Sequence, residues 1–189
     1  MRRLLIGVGL LVSLGMRALP LSAQSQVSAG VGAGFAMPFG TFRDEMNPGL
    51  RALATLDLSL PEMPVSLRID AAYDRFGFKS ALVGAAGSET GARTIASGSV
   101  NLTLGSLDSL DSSGSPRVVS PYAIAGVGMH RIGCTGRQCD VLTQMGWNAG
   151  IGARLGLFGL RGFTEARLHR VPGALSDLYY VPVTVGLLF

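Results

Sequence analysis

Gln144-Met145-Gly146-Trp147-Asn148-Ala149-Gly150-Ile151-Gly152-Ala153-Arg154-Leu155 is two sequences interleaved. Its odd positions are all apolar, whereas its even positions hold Gln, Gly, Asn, Gly, Gly and Arg. Successive side chains of a strand point to opposite faces, so this is a strand with one apolar face and one polar or minute face. The pattern recurs along the chain. Val65, Leu67, Ile69, Ala71 and Tyr73 alternate with Ser66, Arg68, Asp70, Ala72 and Asp74. Leu50, Ala52, Ala54, Leu56, Leu58 and Leu60 oppose Arg51, Leu53, Thr55, Asp57 and Ser59. Val27 to Met37 alternates with Ser28, Gly30, Gly32, Gly34 and Ala36. Tyr179, Val181, Val183, Val185, Leu187 and Phe189 share one face of the last stretch. Segments near 92–104, 118–130 and 160–170 fit less cleanly and bring the expected number of strands to eight. No useful helical period and no internal repeat accompanies them.

Composition agrees with a sheet protein of unusual polarity. Of the 189 residues 48% are hydrophobic, only 15% are charged, and 27 are glycine. Soluble domains carry roughly 25% charged residues. The mean hydropathy of +0.39 invites a helical membrane protein. That reading fails because no run of about 18 consistently apolar residues follows the first 25 positions. The first 23 residues form a separate unit. Arg2 and Arg3 precede an apolar run from Leu4 to Leu14, and small residues follow at Ser22 and Ala23. This is the order of a secretory signal peptide, with cleavage expected after Ala23 or Gln24, leaving 24–189 as the mature domain. Its removal takes away Arg2, Arg3 and Arg17 and no acid, so the formal charge falls from +4 to +1. The sequence pI of 9.6 is therefore no argument for a nucleic-acid partner.

The connections between strands alternate in character. Those near 38–48, 75–91, 131–142 and 171–177 are mostly longer and rich in Gly, Pro, Arg, Asp and Glu, whereas 61–64 and 156–159 are tight. The Ser/Asp-rich stretch 105–117 is the exception. Long loops at one end and short turns at the other suit an up-and-down barrel across an outer membrane. The polar face selects between a membrane barrel and a soluble, lipocalin-like one. It holds Arg51, Asp57, Arg68, Asp70, Asp74, Arg93, Arg154, Arg161, Glu165 and Arg167, with glycines between them. An eight-stranded barrel is just wide enough for side chains to fill it, and buried charges must be paired. A nearly balanced arginine–carboxylate set fits that interior. A soluble exterior would carry more lysine and glutamate, yet the chain has a single lysine, Lys79. The expected fold is all-β, an eight-stranded antiparallel transmembrane barrel.

With the leader, the Pro121-Tyr122-Ala123-Ile124-Ala125-Gly126-Val127-Gly128 segment and the strand from Tyr179 to Phe189, the chain resembles the small OmpA/OmpX-like outer-membrane barrels of Gram-negative bacteria. The resemblance covers the mature chain and is one of pattern. It implies residence in the outer membrane among lipid and lipopolysaccharide. It also implies a monomer handled by periplasmic chaperones and the barrel-assembly machinery. Tyr179, Val181, Val183, Val185, Leu187 and the terminal Phe189 stand where that family carries its assembly signal. No appended peptidoglycan-binding domain is expected.

Few residues point to chemistry. Cys134 and Cys139 are the only cysteines, and in an exported protein a short-range disulfide is expected of them. A zinc site would need two further ligands, and only His130 is close in sequence. Gly30-Val31-Gly32-Ala33-Gly34 lacks the helix that a dinucleotide-binding turn must open. His130 and His169 are the only histidines and fall near the outer ends of their strands, where a lipid A-modifying barrel places its site. Deacylases on this fold resemble a His-x-Ser arrangement, whereas these histidines are followed by Arg131-Ile132 and Arg170-Val171. A palmitoyltransferase-like set dispersed in the loops stays open. The expectation is no catalysis, no cofactor and no metal. The expected role is structural or surface recognition, carried by loops 75–91 and 131–142.

Overall fold

The computed structural model describes residues 26–59, 64–79, 91–105, 119–135, 139–157, 160–173 and 177–189. The leader, its cleavage point and nearly all of the Ser/Asp-rich stretch lie outside these residues. Eight strands form one closed antiparallel barrel in which each strand pairs with its neighbours in sequence and β1 closes on β8. They are β1 (Gln26–Phe39), β2 (Gly49–Ser59), β3 (Val65–Gly77), β4 (Ala92–Gly105), β5 (Val119–Thr135), β6 (Leu142–Leu157), β7 (Leu160–Val171) and β8 (Leu178–Leu188). The end carrying 40–48, 78–91, 136–141 and 172–177 is called the upper end here.

The period of two maps onto the wall. On β2, Arg51, Leu53, Thr55 and Asp57 are buried while Leu50, Ala52, Ala54 and Leu56 face outward. On β3, Ser66, Arg68, Asp70, Ala72, Asp74 and Phe76 are buried. Outside, large apolar side chains stand bare: Ile151 is 70% exposed, Leu160 68%, Met145 68% and Phe35 61%. This polarity is the inverse of a soluble barrel's. A wall that is apolar outside and closed on itself satisfies its backbone without water, which hydrocarbon requires. The outward faces are the apolar ones, and the inward faces form the core.

Two glycines make room for interior side chains. A Cβ on Gly152 would collide with the Tyr122 ring, and one on Gly186 with the Phe163 ring. The β7–β8 ladder lapses between Ala166↔Val183 and His169↔Tyr180, where Pro182 has no N–H to give.

The upper boundaries differ from the sequence reading. β3 continues to Gly77 and β5 to Thr135, so Phe76 belongs to an inward face and not to a loop. A five-residue helix, α1 (Thr41–Glu45), interrupts the first upper connection, entered through Gly40 at φ 58°, a left-handed angle suited to glycine. Five residues are too few for a helical period to register. Phe42 and Met46 drop into the barrel mouth beside Ala36, Phe76, Ile95, Val171 and Tyr180, and the Phe42 and Phe76 rings meet edge to face at 5.0 Å. Backbone bonds from Asn47 N–H to Gly77 O (2.8 Å) and from Lys79 N–H to Glu45 O (3.0 Å) tie this plug to β3. Apolar side chains thus cap a polar interior.

Candidate functional site

The inward faces of β2 to β7 converge on one charge network in mid-barrel. Glu165 sits at its centre. Its Oε2 accepts from Arg68 Nη1 at 3.0 Å and from the Tyr122 hydroxyl at 2.8 Å. Its Oε1 lies 2.6 Å from Arg167 Nη2. Asp70 completes a four-membered ring of charge: Oδ2 accepts from Arg167 at 2.6 Å and from Asn101 at 2.9 Å, and Oδ1 from Arg68 Nε at 3.2 Å. Asn148 extends the network to Asn101 at 2.8 Å, and Thr55 accepts from Arg68. Arg68 and Arg167 are each 1% exposed. Ions taken this far from water persist only with several charge-assisted partners, and each arginine has both Asp70 and Glu165 within 3.2 Å.

A separate ion pair lies above this network. Arg51 Nη1 donates to both Asp74 oxygens, at 3.0 and 2.8 Å, between β2 and β3. Next to it the His169 ring stacks on Tyr180 at 4.8 Å, and His130 meets His169 edge-on at 5.8 Å. Both histidines stand in the upper parts of their strands, next to Arg131 and Arg170, but their side chains face inward and are buried beside the apolar plug.

Three of the arginines assigned to this interior require correction. Arg161 falls on the inward side of β7 but one residue from its lower end, where it is exposed and has no ion-pair partner among the described residues. Arg154 sits at the lower mouth, partly exposed, 3.7 Å from Asp57 and over the Tyr122 ring. Arg93 belongs to the upper mouth, where it lies 3.8 Å from Glu45 and over Phe42. Alternation reports the face of a residue but not its height. Asp57 itself is buried with only long contacts, 3.8 Å to Arg68 and 3.7 Å to Arg154. The sequence reading leaves Thr55, Asn101, Tyr122 and Asn148 out of the network, although Thr55, Asn101 and Asn148 share the inward parity of Arg51, Arg93 and Arg154 on their own strands. Strand β5 has no inward arginine or carboxylate to mark Tyr122. Replacing Tyr122 with Phe is expected to cost about 1–2 kcal/mol, since it removes the hydroxyl bond to Glu165 while keeping the ring; chemical unfolding in detergent measures it.

Cys134 and Cys139 form a disulfide, with Cα atoms 5.9 Å apart. It ties the upper end of β5 to the connection that leads into β6. Closing so small a ring constrains the unfolded chain by roughly 2 kcal/mol. Cys134→Ser with Cys139→Ser should lower stability by no more than that and leave the barrel closed, as reductant titration of the wild type would show independently.

On the outer surface, charges gather at one level. Among the described residues the outward faces of the strands carry only Arg75, Arg131 and Arg170, and no acid. Arg170 is engaged: Asp177 accepts from its Nε at 2.8 Å, and the Tyr179 hydroxyl donates to the same oxygen at 3.2 Å. The Arg170 hydrogen bond holds the Asp177 carboxyl below its ordinary value. A depressed carboxyl contributes its stability above the ordinary value, near 4, and loses it as pH falls through the lower folded one. A carboxyl NMR titration of Asp177 should show that lower midpoint, and Arg170→Ala should raise it.

Solved structures similar to this one are eight-stranded outer-membrane barrels. Neisserial surface protein A superposes with a TM-score of 0.61 at 12% identity, covering 86% of this chain and 95% of its own. A major outer membrane protein from Thermus thermophilus gives a TM-score of 0.54 at 14% identity, covering 88% and 98%. At such identities the likeness is one of fold. No family sequence model matches the chain, and no curated protein is similar enough in sequence to carry an argument.

Proposed function

We propose that the chain is a non-enzymatic protein of the bacterial outer membrane, exported through its leader, whose filled barrel holds upper loops at the cell surface for adhesion, recognition or support of the envelope. The observation that carries this reading is the inverted polarity: an uncharged lipid-facing band outside and a paired ionic core inside. The band has the right height. Tyr179 near its top and Phe189 at its base are about ten residues apart, and ~3.3 Å per residue along strands tilted by ~40° gives roughly 25 Å. Tyr73 and Trp147 stand on the outer surface near the upper boundary, as interfacial aromatics do. The tightest connections, at 60–64 and 158–159, belong at the periplasmic end, and the upper loops outside.

A diffusion pore is disfavoured by the interior itself, since Arg68, Arg167, Glu165 and Asp70 bridge the lumen at hydrogen-bond distance. A lipid-modifying enzyme would need a base facing a lipid substrate, and both histidines point inward. Reconstitution in a planar bilayer tests the choice. The expected result is a sealed membrane without stepwise conductance. Replacing loops 78–91 and 136–141 with short turns should abolish attachment of cells to a surface or host matrix while leaving barrel closure intact. Regular conductance steps, or acyl release from added lipid, would overturn the reading.

A further inference from the structure

The strand pairings fix the height of every outward residue. Followed round the barrel, they place Arg75 on β3, Arg131 on β5 and Arg170 on β7 at one level, within about one residue's rise (~3.3 Å) of each other. Tyr179 shares that level through its pairing with Arg170. Tyr73 and Trp147 lie about two residues below. Every charge on the described outer surface of the strands is therefore an arginine, at the same height, at the upper edge of the apolar band. The lower edge has none.

We infer that Arg75 and Arg131, with Thr94 between them and Thr143 beside them, form a binding site for the phosphorylated headgroup of a lipid in the leaflet at the upper end. The inference deepens the membrane reading above and rests on it. An arginine facing hydrocarbon is costly, so heads at this level reach up to the polar region, where the abundant anions are lipid phosphates. Thr94 pairs with Arg75, and Arg131 pairs with Thr143. Arg75 and Arg131 stand two strands apart and two residues out of register, roughly 12 Å between Cα atoms, within the reach of two arginine side chains closing on one phosphate or on two of the same head. Neither has an ion-pair partner among the described residues, and both are exposed. Arg170, at the same height, is satisfied by Asp177 at 2.6 Å and lies outside the site. This internal contrast separates a specific site from a general attraction of positive charge.

The test uses the folded mature protein in dodecyl maltoside, a detergent without phosphate, and reads bound lipid by native mass spectrometry. The probes are bisphosphorylated lipid A, the same lipid enzymatically dephosphorylated, phosphatidylglycerol and inorganic phosphate. The wild type should retain lipid A about tenfold better than its dephosphorylated form. Arg75→Ala with Arg131→Ala should abolish the difference, the double lysine variant should keep part of it, and Arg170→Ala should keep all of it. Retention of phosphatidylglycerol equal to lipid A would assign the site to any phosphate-bearing lipid, and competition by millimolar phosphate would assign it to the phosphate alone; both still support the inference. It is overturned if the dephosphorylated lipid binds equally well, if the double alanine variant is unchanged, or if Arg170→Ala loses as much as the double variant. Heat-dependent gel mobility, read on the same samples, reports barrel closure separately, so the membrane reading survives failure of the lipid site.

Discussion

Replacing Glu165 with alanine should destabilise the barrel by about 3–5 kcal/mol, the usual cost of removing one partner from a buried ionic cluster. The carboxylate serves Arg68, Arg167 and Tyr122 at once, at 3.0, 2.6 and 2.8 Å. With it gone, two guanidinium groups share Asp70, and Arg68 is left with that carboxylate and the distant Asp57. Neither arginine has a route to water from its place at 1% exposure. Glu165→Gln keeps the shape and an acceptor for the phenol, so it should fall between wild type and alanine. Trp147, the only tryptophan, faces outward and reports the transfer of the wall from lipid to water during urea unfolding in vesicles. A variant that unfolds within about 0.5 kcal/mol of wild type would mean that the cluster is already hydrated and its pairing incidental.

Val100→Arg should cost about 2–4 kcal/mol in a bilayer. Val100 is outward, 49% exposed, and midway between the arginine level and the base of the band. On a soluble protein a change at an exposed valine of this kind is worth within about 0.5 kcal/mol. The same substitution therefore separates the two environments sharply, and the interior is untouched by it. Unfolding in vesicles of matched thickness measures the effect, and moving the arginine up to Ala96, near the natural level of Arg131, should remove most of the cost.

The fold is legible because alternation is local. Gln144 to Leu155 alone shows a two-faced strand, and its repetition along the chain gives the barrel. The inward charges follow by parity, since Arg68, Asp70 and Asp74 occupy alternate positions of one strand. Parity carries no height, which is why it groups Arg161, Arg154 and Arg93 with a core they only border. Their level depends on register, and register is set by pairings between residues distant in sequence. The plug is illegible for a related reason. Phe42 and Met46 lie in and just after a helix too short to show a period, and their partners Phe76, Ile95 and Tyr180 come from three separate strands. The level of Arg75, Arg131 and Arg170 also exists only once the barrel is closed.

Heat-dependent mobility of the membrane-extracted mature protein tests the central claim, a closed barrel held in the outer membrane by its apolar exterior. The protein should fractionate with outer membranes, and unboiled samples on a denaturing gel should run at a different position from boiled ones, because a sealed wall resists the detergent until heated. Identical mobility, together with recovery in the soluble periplasmic fraction, would contradict the account and require an apolar ligand or partner to cover the outer face.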